Sequence, residues 1–156
     1  MREYQASHAL IALIHRLAGT DWHAVPDAPG DWDTVRQQDP NGHIVVSSEY
    51  SDSSIYGSPE NNHAFRAWHD RTHLRLDRGF DDEGEYYVGN AQVNAVHRAR
   101  PDDPSLRNED AMAIYYDTIG QIEYRNTHYG AFPTNQRAFV QSCFDIGLAE
   151  SIKLAF

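Results

Sequence analysis

Apolar residues recur at three- and four-residue intervals along most of this chain, the period of helices that bury one face. Residues 3–18 carry Leu10, Leu13, Ile14 and Leu17 on a common face and read as a first helix. Residues 19–58 lose the period among Gly, Pro, Asp and Ser, and Asp39-Pro40-Asn41-Gly42 is a strong turn signal. The flanking segments 34–37 and 43–48 are expected to pair as a short β-hairpin. Ser58-Pro59 then opens a second helix, Ser as N-cap and Pro at the first helical position, which runs to Leu76 and ends near Gly79. A third begins near Asp82, with Asp82 as cap and Glu85 as the acid of a capping box. Pro101 and Pro104 interrupt, and a fourth helix starts at Ser105 or Asn108 and continues to Thr127, before Tyr129-Gly130. Thr134 is expected to cap a fifth over 135–150, with Gly147 as its weak point. The pattern is that of one domain over 1–156: a mainly α bundle of about five helices, with a short hairpin in an irregular N-terminal region.

Polar groups on the apolar stripes carry the candidate chemistry. On a helical wheel Phe65, Trp68, Thr72 and Leu76 share an arc of the second helix, Arg71, Arg75 and Arg78 lie away from its centre, and His69 and His73 stand at its edge. Imidazoles on adjacent turns can meet one ion, which is why an i, i+4 histidine pair is a metal-binding pattern; the plain alternative is two histidines covering the core edge. Glu85 shares an inward stripe with Val88, Gln92 and Ala95. A carboxylate there must be paired, hydrogen-bonded or metal-bound, so Glu85 is either a ligand or the acid of the cap. On the fourth helix Glu123 falls between Met112, Tyr116 and Ile119, whereas Asp117 shares a small-residue face with Ala113 and Gly120. The wheel turns Glu123 inward but does not decide between the two acids.

His69, His73 and Glu85 are thus the candidate metal ligands, with Asp70, Asp117 and Glu123 as candidate catalytic acids. Two imidazoles and one or two carboxylates suit iron, manganese or zinc better than calcium or magnesium, which take oxygen shells. Asp70 stands where the zinc-protease motif His-Glu-x-x-His has its Glu, one methylene longer, so that mechanism does not transfer unchanged. Asp70 is expected to orient a ligand or accept a proton. Phosphate-binding Gly loops, Gly-x-Ser-x-Gly and Cys-x-x-Cys are all missing.

Charge narrows the partners. The formal net charge of −10 disfavours direct nucleic-acid binding, and the mean hydropathy of −0.66 comes with no run near the ~20 apolar residues of a membrane span. The first residues lack the charged-then-apolar layout of a signal peptide. The one cysteine, Cys143, allows no internal disulfide; it lies in an apolar run and reads as a buried, inert thiol in a reducing cytoplasm.

The block from Gly57 to His73, with its Phe65-Arg66-Ala67-Trp68-His69-Asp70 core, together with Gly84-Glu85 further on, resembles a group of uncharacterised bacteriophage proteins. A looser similarity runs to a segment of large phage polyproteins that continues with an acid-Thr-x-Gly-Gln motif, which Asp117-Thr118-Ile119-Gly120-Gln121 looks like. The resemblance spans roughly residues 55–130. It implies a phage or prophage origin, hence a bacterial host cytoplasm, and favours Asp117 over Glu123 as the site acid.

Taken together, these residues point to a metal-dependent oxygenase or hydrolase acting on a small-molecule or macromolecular substrate. One alternative is an HD-type metal phosphohydrolase, with His69-Asp70 and Asp117 joined by His43 or His63. Another is a non-catalytic acidic accessory protein that binds a host protein, its charge imitating nucleic acid.

Overall fold

The computed structural model describes residues 2–156. In chain order the elements are α1 (His8–Ala18), β1 (Trp22–Val25), α2 (Trp32–Val35), β2 (Ile44–Ser47), α3 (Pro59–Leu76), α4 (Asp82–Ala99), α5 (Asn108–Tyr115), a π turn (Tyr116–Gly120), α6 (Gln121–Thr127), α7 (Gln136–Ile146) and α8 (Leu148–Ser151). The protein is mainly helical, as the apolar period predicts. No helix of the described residues is long and apolar enough to cross a membrane.

The central element is α3, which touches α1, α4 and both strands. Its alanines Ala64 and Ala67 are fully buried, and such short side chains let neighbouring backbones come close. Around it Leu10 and Ile14 of α1, Ile114 of α5 and Phe139 of α7 are all 0% exposed. Each such side chain contributes roughly 1.5–3 kcal/mol by leaving water. Cys143 belongs to this core, and burial pushes its thiol pKa up to about 11.

Several boundaries differ from the sequence reading, each for a local reason. The first helix starts only at His8, because the Ser7 hydroxyl accepts from Leu10 N and caps it there. A short strand pair does form in the N-terminal region, and β2 falls within the expected 43–48. Its partner, however, is β1, in parallel register with Trp22 opposite Ile44, while 34–37 begins as the end of α2. Parallel pairing needs a crossover, which no turn signal reveals.

That crossover is pinned from below by Arg71, a buried residue whose guanidinium donates to the carbonyls of Ala18, Asp21, Pro40 and Gly42. A helical wheel turns Arg71 away from the core, and these four carbonyls are what draw it in. Leu76, assigned to the core arc, is instead 37% exposed on the last turn. On α7 the cap is Asn135, whose side chain accepts from Ala138 N, rather than Thr134; Gly147, at φ 88°, separates α7 from α8.

Two corrections bear on function. The cap of α4 is Asp81, not Asp82: the Asp81 carboxylate accepts from Gly84 N at 2.9 Å. Glu85 is therefore one position too late for a capping box, and its side chain is free to turn inward. The fourth helix is continuous from Asn108 to Thr127 but carries the π turn at its middle. One surplus residue rotates the later turns by about 100° relative to the earlier ones. A regular wheel drawn through it therefore misjudges which of Asp117 and Glu123 points inward.

Candidate metal centre

The site is built at the joint between α3 and α4. His69 and His73 lie on adjacent turns of α3, and Glu85 reaches them from the first turns of α4. The His69 and His73 Nε2 atoms are 3.1 Å apart. Glu85 Oε2 is 3.3 Å from His69 Nε2, and Glu85 Oε1 is 3.0 Å from His73 Nε2. Atoms about 2.1 Å from one ion stand about 3.0 Å apart at a right angle and about 3.4 Å apart at a tetrahedral one. All three separations fall in that interval. These three side chains form a group able to hold a metal ion, and it is the one such group among the described residues.

Each imidazole is turned by its other nitrogen. His69 Nδ1 is 2.6 Å from Gln92 Oε1, and His73 Nδ1 is 2.7 Å from the Arg78 carbonyl. Oxygen acceptors require Nδ1 to carry a proton, so Nε2 faces the common point and presents a lone pair there once its own proton leaves, the arrangement that orients histidine ligands in metal sites. The second acceptor is supplied by the end of α3. Asp77 adopts a left-handed conformation at φ 50°, Arg78 N bonds back to His73 O, and the chain folds over so that Arg78 O meets the His73 ring.

The loop then runs so close to α4 that a Cβ on Gly84 would stand 1.9 Å from Gly79 O. Only glycine fits at 84, immediately before the ligand. Phe80 packs edge-on to His73 at 4.8 Å and Trp32 lies beyond it, so the back of the site is apolar.

Burial alone would depress His69 and raise Glu85, but the two groups facing each other outweigh it. Their attraction lifts the His69 pKa from 6.5 to about 9 and, with His73, holds the Glu85 carboxyl far below the ordinary range. A proton shared within the triad and a cation at its centre are thus competitors.

His73 is fully buried, whereas the His69 and Glu85 side chains are 18% and 13% exposed. Their open edge faces a cleft of about 620 Å³ whose apolar walls include Phe65, Phe80, Ile122 and Phe132. Asp117 lines the same cleft. Its carboxylate accepts from Tyr56 Oη at 2.9 Å and from Gln121 Nε2 at 2.7 Å, which fixes its direction. Burial raises its pKa against those two hydrogen bonds. Gly89 of α4 makes this approach possible, since a Cβ there would come within 2.9 Å of Thr118 and Ile119 on the π turn.

The other acids fall elsewhere. Glu123 accepts from Tyr86 Oη at 2.7 Å and does not line the cleft. Asp70 also stands outside it, near Arg66 and His69, with its pKa raised by burial against the pull of its basic neighbours. The set required for an HD-type phosphohydrolase does not assemble: His43 is bonded to His23 and Asp21 on the strand pair, and His63 Nε2 is buried without a partner. His8 and His97 are exposed, His15 bonds Asn61, and His128 stacks on Tyr124 and reaches Ile152 O.

Sequence reasoning missed Tyr56, the Arg78 carbonyl and the orienting role of Gln92. Gln92 carried a signal, a polar residue on the Glu85 stripe; Tyr56 lies in an irregular segment and carried none. No protein-family model matches the chain, and neither a curated protein nor a solved structure is significantly similar to it. Function therefore rests on the site itself.

Proposed function

We propose that this protein is a divalent-metal enzyme of phage or prophage origin, with zinc, manganese or iron held by His69, His73 and Glu85, and that its chemistry is hydrolytic. The observation that carries the reading is the convergence of three ligand atoms at the mouth of a cleft, with both histidines already turned toward the ion by oxygen acceptors on Nδ1. A structural ion would be closed on all sides; here the His69–Glu85 edge opens onto space for a substrate. The bound ion supplies Lewis acidity and a more acidic water.

Asp117 favours hydrolysis over oxygenation. It is a directed carboxylate in the same cleft, and burial raises its pKa above that of a free carboxylate. Its role is to take the proton of the attacking water, while Tyr56 and Gln121 hold it in place. Asp70 and Glu123 have no part in the cleft. The phage origin rests on the resemblance of the Gly57–His73 block and Gly84-Glu85 alone.

The test is elemental analysis of the untagged protein beside the His69→Ala/His73→Ala variant, with circular dichroism to confirm that both are folded. Near-stoichiometric zinc, manganese or iron in the parent alone supports the reading. Equal metal in both, or none in either, overturns it and turns attention to an acidic protein that binds a host partner. With metal bound, Asp117→Asn should keep the ion and lower turnover of p-nitrophenyl esters about 100-fold or more. An unchanged rate would remove Asp117 from the mechanism.

A further inference from the structure

The cleft contains two arginines that neither the metal triad nor its proton acceptor uses, and one of them has no carboxylate partner. Arg66 lies on α3 one turn before His69 and lines the same cleft. Its guanidinium is held at two points, donating from Nη1 to Ser47 O at 2.7 Å and from Nη2 to Tyr50 O at 3.3 Å. A guanidinium has about five N–H donors, so about three remain. The arginine–carboxylate ion pairs among the described residues involve Arg78, Arg107 and Arg125, and Arg66 is in none of them.

The contrast with Arg125, the second arginine of the cleft, is direct: Arg125 is matched by Asp82 at 2.5 Å. Asp117, Asp70 and Glu49 stand near enough to stabilise the Arg66 charge, but none of them forms an ion pair with it. Glu85 faces the two histidines, and Asp117 is engaged by Tyr56 and Gln121. A fixed fork with no direct carboxylate partner, in a largely apolar cleft, is the arrangement that takes an anion in bidentate fashion.

The mouth of the cleft adds a second feature. Tyr50 and Phe132 line it and are 83% and 47% exposed, with the Arg125 guanidinium over one face of Phe132 at 5.4 Å. Tyr50 is also held at φ 55°, a left-handed backbone that a bulky residue rarely adopts, and its carbonyl is one of the two that grip Arg66. The anion site and the aromatic rim are therefore tied together by one hydrogen bond.

We propose that the cleft binds a carboxylate with a flat apolar body, the carboxylate on Arg66, the body against Tyr50 and Phe132, and the reacting bond over the His69–Glu85 edge. A singly charged group fits better than a phosphomonoester, since Glu85 and Asp117 share the cleft and the chain carries a net charge of −10. The placement of the reacting bond rests on the metal-enzyme reading; the binding of the anion by Arg66 does not.

Phenylacetate, phenylacetamide and phenyl phosphate are the probes, titrated calorimetrically into the wild-type chain and into Arg66→Gln and Arg66→Lys, first in excess EDTA and then with zinc. In EDTA phenylacetate should bind about tenfold or more tightly than the neutral amide, and Arg66→Gln should erase that preference. Arg66→Lys, which keeps the charge but loses the fork, should fall between. Should Arg66→Gln not fold, the Arg66 Nε–H resonance of the wild type must still shift on adding phenylacetate and not on adding the amide. Equal binding of acid and amide, a preference that survives Arg66→Gln, or tighter binding of phenyl phosphate would each overturn the proposal. Carboxylate binding in EDTA is read separately from metal content, so failure of one leaves the other measurable.

Discussion

The molecule contains two clusters made of the same parts, two imidazoles and one carboxylate, and they are arranged in opposite ways. On the strand pair, Asp21 Oδ1 is 2.7 Å from His43 Nδ1, and His43 Nε2 is 2.5 Å from His23 Nδ1. These groups stand in series: one ring nitrogen meets the other ring's nitrogen, and the carboxylate sits at the far end. At the α3–α4 joint the groups stand in parallel, each presenting one atom to a shared point while carbonyl oxygens hold the histidines from behind. A series passes a proton along; a convergent set encloses an ion. Composition and short distances are thus common to both clusters, and the direction of the lone pairs separates them.

Exposure widens the difference. In the surface cluster the His43 and Asp21 side chains are 49% and 62% exposed, so water competes for every bond and the pair contributes little. The Glu85 triad is mostly dry, and there a charge must find its counter-charge.

The largest expected effect tests this contrast directly. His69→Ala/His73→Ala should remove all tightly bound metal, and His23→Ala/His43→Ala should leave the whole complement in place. Metal that goes with the surface pair instead would break the comparison. Next in size, Gln92→Leu keeps the volume near His69 but deletes the acceptor on Nδ1. Metal affinity, read by competition with a chromophoric chelator, should fall about 10–100-fold; an unchanged affinity would mean that the ring needs no orienting.

A smaller effect is expected from pH on the metal-free protein. His69 is raised from 6.5 to about 9, so its contribution to stability is complete below about 6.5 and is lost as pH rises through about 9. Glu85 is lowered, so its contribution is complete above its ordinary 4.5 and is lost as pH falls below that. Thermal melting in EDTA should therefore show the triad contributing most between these limits, with a decline on the alkaline side that Glu85→Gln removes. Metal affinity should run the other way and rise with pH as the competing proton leaves. The smallest effect is that of His43→Ala, which should change unfolding free energy by no more than about 0.5 kcal/mol in urea.

Much of the site was legible because it is local. Ser58-Pro59 fixes where α3 begins, and the phase of that helix then places His69 and His73 together. Glu85 was legible as an inward acid, but two adjacent aspartates cap equally well on paper, and only the structure shows that Asp81 takes the role and frees Glu85. What stayed hidden is non-local or aperiodic. Parallel pairing of β1 with β2 depends on a crossover, and the burial of Arg71 depends on four carbonyls from two distant segments. Asp117 was preferred through resemblance, while the wheel left the two acids undecided; the π turn shifts the phase that a regular wheel assumes.

That π turn makes chain length, besides residue type, a constraint on the middle of this helix. Substitutions around Tyr116–Gly120 leave the count of residues intact and with it the angular offset between α5 and α6. Loss of one residue would restore an uninterrupted α ladder and turn every side chain beyond it by roughly 100° relative to α5. Among diverging copies of this chain, the π turn should therefore resist insertion or deletion even at positions whose side chains vary.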